Sequence, residues 1–244
     1  MKRVAILTPS YDCTVDAYFH HSVIDTVKAC VGHGIDVVPL TWPGEALVQH
    51  GRNALVKLGL SAPDISDFFW IDADQEWTPQ QFLAILGHPV DVVGGTYRKR
   101  TDEKEEYTVR AGVLKQDANG LCEVDGLGCG FLKVSRKALE AAYNAAESYE
   151  NNGQQWKMVF DVRVMSGRLW GEDTIFCLKL AGLGFPVYLD PAVTVGHNGY
   201  KRYKGDFIAY IGRTHAERRP ADPVPDQGSV RNGTDQPASA GHHA

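Results

Sequence analysis

The sequence predicts one α/β domain in which helices flank a central, mainly parallel sheet. Three observations carry that expectation. Apolar strand-like runs alternate with segments whose apolar residues recur at helical spacing, the pattern of strands joined by crossover helices. The chain has 244 residues, enough to bury one large core. Its composition, 43% hydrophobic and 23% charged, excludes a wholly disordered or fibrous chain.

Residues 3–8 (RVAILT) are a short apolar run stopped by Pro9-Ser10, a strand and its turn. Val15, Tyr18, Phe19, Val23, Val27, Cys30 and Val31 recur at three and four, one face of a helix that Gly32 and Gly34 end. A second strand is expected at 35–40, a helix at 45–58, a third strand at 67–71 (DFFWI), a short helix at 79–86 and a fourth strand at 90–94. The rhythm changes after Tyr97. The charged run 98–107 (RKRTDEKEEY) reads as a mobile loop, followed by strand-like pieces at 108–114, 121–124 and 129–134. A helix at 137–146, a strand near 158–164, a helix at 172–181 and a strand at 186–189 lead to Val193-Thr-Val-Gly-His197. The expected domain covers 1–214. From 215 to 244 Pro, Gly, Asp, Ser and Ala dominate and few large apolar residues remain, so a disordered tail is expected.

A net charge of −5 offers no global attraction to nucleic acid or an anionic membrane, so a polyanion must be held by a local patch. No apolar run approaches the roughly 20 residues of a transmembrane helix, and the first strand begins too early to leave room for a secretory signal. The expected compartment is the cytoplasm, where the sequon Asn232-Gly233-Thr234 would go unused. Cys13, Cys30, Cys122, Cys129 and Cys177 are scattered with no C-x-x-C, which points to free, mostly buried thiols rather than a zinc site or a disulfide framework.

The main chemical signal is Asp72-Ala73-Asp74 at the end of the third apolar run. In an extended chain residues two apart point the same way, so the two carboxylates can converge in the crevice beyond the strand ends. Like charges so close call for a divalent cation such as Mg²⁺ or Mn²⁺, which keeps open positions for a diphosphate. The plain alternative is a solvated turn, since Asp is common in turns.

Thr8-Pro9-Ser10, Arg52-Asn53 early in a helix and Ile71-Asp72-Ala73-Asp74 resemble the donor half of glycosyltransferases of the GT-A fold. Residues 126–131 (GLGCGF), Gly171-Glu172-Asp173, Asp190-Pro191 and Gly196-His197 agree with its downstream segments. The resemblance spans residues 4–205, is closest to family 2-like, small soluble members including those of bacteriophages, and lies in the order of the segments more than in any one. It implies a Rossmann-like GT-A sheet and metal-dependent transfer of a sugar from a nucleotide diphosphate sugar, a UDP-sugar foremost, to an acceptor hydroxyl. Mn²⁺ or Mg²⁺ would be the cofactor. The acceptor is left open among a glycan, a lipid-linked sugar, a small molecule and a modified nucleic-acid base.

Carried over residue by residue, the resemblance implies donor contacts at Thr8, Pro9, Ser10, Arg52, Asn53, Asp72, Ala73, Asp74 and Lys201. It implies metal ligation by Asp72, Asp74 and His197, and an acceptor-side loop containing Gly128 and Cys129. Asp173, ahead of Glu172, becomes the base that takes the acceptor proton if the anomeric carbon inverts. Each role has a plain alternative. Arg52 can be a surface arginine and His197 a structural histidine, while acids in a helix's first turn are favoured by the helix dipole. The glycines can be a β-turn. The clusters 98–100 and 201–204 can be solvated surface, or, with Tyr203 interleaved, a grip on nucleic acid. Two other functions stay open: nucleotidyl transfer, which wants a glycine-rich basic loop after the first strand, and a non-catalytic sugar-nucleotide-binding or interaction domain.

Overall fold

The computed structural model describes residues 1–214, so the expected tail and its sequon lie outside the described residues. The first half comprises β1 (Lys2–Ser10), α1 (Ala17–Gly32), β2 (Ile35–Pro43), α2 (Val48–Leu60), β3 (Ile65–Ile71), β4 (Gln75–Glu76), α3 (Pro79–Gly87) and β5 (Val92–Tyr97). The second half is built of shorter pieces: β6 (Val109–Arg110), β7 (Cys122–Val124), β8 (Gly126–Leu127), β9 (Phe131–Ser135), α4 (Arg136–Ala145), β10 (Ser148–Asn151), β11 (Gln154–Lys157), β12 (Arg163–Met165) and β13 (Arg168–Trp170). It closes with α5 (Glu172–Gly182), β14 (Val187–His197) and α6 (Phe207–Thr214).

Strand order in the main sheet is β2-β1-β3-β9-β5-β14-β4, with β7 beside β14. β1 runs parallel to β2 and β3, and β5 parallel to β14. β9 is antiparallel to both β3 and β5, and β14 is antiparallel to β7 and β4. The sheet is therefore mixed, which corrects the expected mainly parallel arrangement. The cause is the connection after β5: residues 98–130 contain no helix to carry the chain to the far edge. The chain re-enters at the end it left, with Phe131 opposite Ile71 and Leu132 opposite Gly94. Only a crossover of a dozen or more residues, usually helical, makes neighbours parallel.

Alternate residues of β3 serve the two faces of the sheet. Phe68 and Trp70 pack with Leu55 and Val56 of α2, Leu139 of α4 and Phe176 of α5. Phe69 and Ile71 pack with Phe19 of α1 and with Phe82 and Ile85 of α3. Asp16 caps α1 by accepting from the Tyr18 amide at 2.8 Å, and α3 opens on a Thr78/Gln81 capping box with Pro79. The α1 face differs from its apolar reading. Val31 is exposed, whereas Ser22 and Thr26 are buried and accept from the Trp77 amide (3.1 Å) and indole (2.9 Å).

The strand expected at 158–164 forms only at its end: residues 158–162 are not strand, while Arg163 and Val164 belong to β12. Hairpins β10–β11 and β12–β13 flank the segment, turning at Asn152-Gly153 and Ser166-Gly167, all four residues with positive φ. Between the hairpins Val159 and Phe160 are fully buried, and the Asn53 side chain takes the place of a strand partner for Phe160. It accepts from the Phe160 amide at 2.7 Å and donates to its carbonyl at 3.0 Å. The charged run 98–107 is tied down by Lys99 N to Glu106 O (2.8 Å) and by ion pairs of Arg100 with Asp74 and Glu105 with Arg213. Helix α6, absent from the sequence reading, seats buried Phe207 on Tyr107 with ring centroids 4.9 Å apart. Cys30, Cys122, Cys129 and Cys177 are buried free thiols and Cys13 an exposed one. Among the described residues no helix is long and apolar enough to cross a membrane.

Candidate functional site

A cleft of about 790 Å³ opens where β1, β3 and β14 end and the N-termini of α1 and α5 approach. The β4–β14 ladder decides its composition. His197 is registered against Gln75 and Gly196 against Glu76, and the Asn198 amide donates to the Asp74 carbonyl at 2.8 Å. Residues more than a hundred positions apart thus meet at the Asp72–Asp74 turn. Pro9, Ser10, Arg52, Asp72, Ala73, Asp74 and Glu172 all line the cleft.

The acids do not sit on an extended strand. β3 ends at Ile71, and the Asp72 carbonyl accepts from the Gln75 amide at 3.1 Å, closing a turn. Their side chains accordingly take different partners. Asp72 Oδ1 accepts from Arg52 Nη2 at 2.7 Å, while Asp74 is paired with Arg100 and has Oδ1 3.7 Å from His197 Nε2. The repulsion that suggested a bridging cation is relieved here by one arginine per carboxylate. Burial raises the Asp74 carboxyl, but His197 and Arg100 outweigh it and hold Asp74 below its ordinary value. His197 Nδ1 lies 2.9 Å from the Arg98 carbonyl. A carbonyl only accepts, so Nδ1 carries a proton; Nε2 faces Asp74, donating to it when the ring is charged and offering a lone pair to a cation when the ring is neutral. Among the described residues no group of three or more His, Cys, Asp or Glu side chains is arranged to hold a metal ion; Asp74 and His197 are a pair.

Arg52 is 3% exposed, with its guanidinium carbon 5.6 Å from the Trp70 ring centre and 5.7 Å from that of Phe160. Burial opposes its charge, but Asp72 and, further down, Glu172 (Nε–Oε1 3.5 Å) outweigh that and hold it protonated. Its Nη1 is buried with no hydrogen-bond partner among the described residues. Burial raises the Glu172 carboxyl against the opposing pull of Arg52.

A second cavity of about 170 Å³ is lined by Lys99 and Asp173, the chain neighbours of Arg100 and Glu172 in the larger space. Asp173 Oδ1 accepts from the Thr174 amide at 2.6 Å, which leaves Oδ2 without a hydrogen bond among the described residues. Gly128 lines this cavity. The glycine run is otherwise explained by Tyr97. A Cβ on Gly130 would lie 2.7 Å from the Tyr97 ring, whose hydroxyl accepts from the Gly130 amide at 3.1 Å. The same ring meets His197 edge-on at 5.1 Å. Cys129 is buried near Arg52 and Cys177, and burial pushes its thiol well up, so it offers no reactive thiolate.

Five of the sequence candidates line neither cavity: Cys129 and His197, which sit behind the lining, and three more. Thr8 is buried, Asn53 is spent on Phe160, and Lys201 pairs with Asp102 beside the Tyr203 ring. Sequence reasoning missed Arg100, Asn198, Tyr97 and Asp16. Asn198 is 2% exposed, donates to Asp16 Oδ1 at 3.1 Å and lines the cleft. Of these only Asp16 carried a local signal, as the capping residue before α1.

No protein-family model matches the sequence, and no curated protein matches it. Among solved structures, A197 from STIV superposes with TM-score 0.49 and 18% identity, over 92% of this chain and 99% of that one. The catalytic domain of Drosophila β1,4-galactosyltransferase 7, in complex with xylobiose, gives 0.44 and 13% over 96% and 81%. A glycosyltransferase involved in the glycosylation of the major capsid of PBCV-1 gives 0.33 and 15% over 56% and 62%. Likenesses of this size leave the function to be argued from the site.

Proposed function

We propose that the chain is a glycosyltransferase that takes a nucleotide diphosphate sugar in the larger cleft and passes the sugar to an acceptor hydroxyl in the smaller cavity. The observation that carries this reading is the pairing of Asp74 with a histidine whose Nδ1 proton is committed to the Arg98 carbonyl. That tautomer leaves an imidazole lone pair beside a carboxylate, a mixed nitrogen and oxygen donor set that suits Mn²⁺ better than the oxygen-seeking Mg²⁺. The cation would neutralise the departing diphosphate as a Lewis acid. Arg52, fixed by Asp72 and two aromatic rings with one N–H face unpaired, supplies a preorganised cation for the phosphates.

Asp173, which lines the smaller cavity next in the chain to Glu172 of the cleft, serves as the base. The acceptor oxygen forms the bond to the anomeric carbon, the bond to the diphosphate oxygen breaks with its electron pair, and the hydroxyl proton passes to Asp173 Oδ2. Glu172 orients Arg52 rather than taking that proton.

The test compares wild type with Asp74→Ala, using UDP-, GDP- and TDP-sugars with and without Mn²⁺. Donor hydrolysis should require the metal and fall roughly 100-fold or more in the variant, the worth of a Lewis acid at a developing charge. Donor-induced thermal stabilisation should likewise need both metal and Asp74. Turnover indifferent to metal and to Asp74→Ala sinks the reading.

A further inference from the structure

We propose that the acceptor carries an anionic group, a carboxylate or a phosphate monoester, and that Arg110 is the residue that holds it. The inference rests on the transferase reading, which makes the smaller cavity the acceptor site. Three charged side chains line that cavity: Lys99, Arg110 and Asp173. Two cations and one carboxylate share this lining.

The three groups are not equivalent. Lys99 is paired with Glu106 at 3.4 Å, and Asp173 is held through Oδ1 by the first turn of α5. Arg110 pairs with no carboxylate among the described residues. Its guanidinium lies over the Trp170 ring, 4.5 Å from the ring centre. Trp170 is itself fixed: it is 5% exposed, packs with Met165, Ile175 and Leu178, and donates from its indole to the Met165 carbonyl at 3.3 Å. A guanidinium held over an immobile ring keeps its charge and its fork of donors but loses little freedom on binding. Such a fork meets a carboxylate or phosphate through two parallel hydrogen bonds.

Arg110 and Asp173 line the same small cavity. A Cβ on Gly126 would lie 3.6 Å from the Arg110 Cβ and 3.5 Å from the Thr174 Cγ2, so Arg110 and the Asp173–Thr174 turn flank one glycine. A ring-sized acceptor can set its hydroxyl at Asp173 and its anion at Arg110. A neutral acceptor would leave the guanidinium facing it without a counter-charge. The site would then select against neutral sugars as well as for charged ones.

The experiment uses the full chain with three probes: glucose, glucuronate and glucose 6-phosphate. Binding is followed by ligand-observed NMR and transfer by mass spectrometry in the presence of donor and Mn²⁺. One or both anionic probes should bind at least tenfold more tightly than glucose; glucuronate ahead assigns a carboxylate and glucose 6-phosphate ahead a phosphate. Arg110→Gln should remove roughly tenfold or more of that preference, as expected for a charge-assisted hydrogen-bonded pair, and Arg110→Lys should restore part of it. Donor hydrolysis without acceptor should be the same in all three proteins, which also shows that the variants fold. Equal binding of the probes, no binding of any of them, or a preference that survives Arg110→Gln overturns the inference. In those cases, persisting metal-dependent donor hydrolysis leaves the transferase reading standing, and its absence from wild type removes both.

Discussion

Consecutive residues at 99–100 and 172–173 line the two cavities, one of each pair to each space, yet the electrostatics of the two differ in kind. In the larger cleft three of the acids have a cation: Asp72 has Arg52, Asp74 has Arg100, and Glu172 leans on Arg52. In the smaller cavity Arg110 has a ring but no acid, and Asp173 keeps one oxygen uncommitted. Consecutive residues of one helical turn therefore do different work, because positions one apart on a helix point some 100° from each other. Glu172 sets the arginine of one space, and Asp173 faces the other.

The sharpest way to break this comparison is Asp173→Asn. Transfer to acceptor should fall by about 10²–10⁴-fold, the range for loss of a general base, while nucleotide binding in the larger cleft stays unchanged in a calorimetric titration. Joint loss of both would mean that the two spaces are one site. A smaller effect is expected from Gly130→Ala. Its new methyl would meet the Tyr97 ring at 2.7 Å, so overpacking should cost about 1–3 kcal/mol in denaturant unfolding. Tyr97 supports His197, so the damage should reach metal-dependent donor binding before it reaches acceptor preference. An unchanged unfolding midpoint would show that the ring moves aside freely.

The smallest effect concerns pH. Burial raises Glu172 against Arg52, so its proton is bound more tightly in the folded state than in the unfolded one. The stability this supplies is fully present below the ordinary glutamate value of ~4.3 and is lost as pH rises through the higher folded value. Glu172→Gln removes the loss. The Tm of the variant relative to wild type should climb from pH ~4 through the mildly acidic range and then level off. A difference that is constant with pH would place Glu172 in an unperturbed environment.

Much of the first half was legible in the chain because its strands and helices are long enough for periodicity to declare them. The apolar run of β3, the capped α3 and the acids after Ile71 all follow from local pattern. In the second half, the turn signals Asn152-Gly153 and Ser166-Gly167 outweigh the apolar look of residues 158–164. The buried Val159 and Phe160 resemble a strand in composition while the Asn53 amide does the pairing. Arg100 was hidden in a charged run whose ordinary meaning is solvated surface. Asn198 had no local signal, since its importance comes only from contact with Asp16 and Asp74.

By itself the sequence determined where the chain is apolar at strand or helix spacing, and that two acids leave the third strand together. Tertiary structure alone decided that the sheet is mixed, that the acids part company, and that each of them takes an arginine as its partner. Periodicity is a property of neighbours. Strand direction and charge pairing depend on what returns from far along the chain: Arg52 reaches Asp72 across 20 residues, Arg100 reaches Asp74 across 26, and the Arg98 carbonyl orients a histidine 99 residues away.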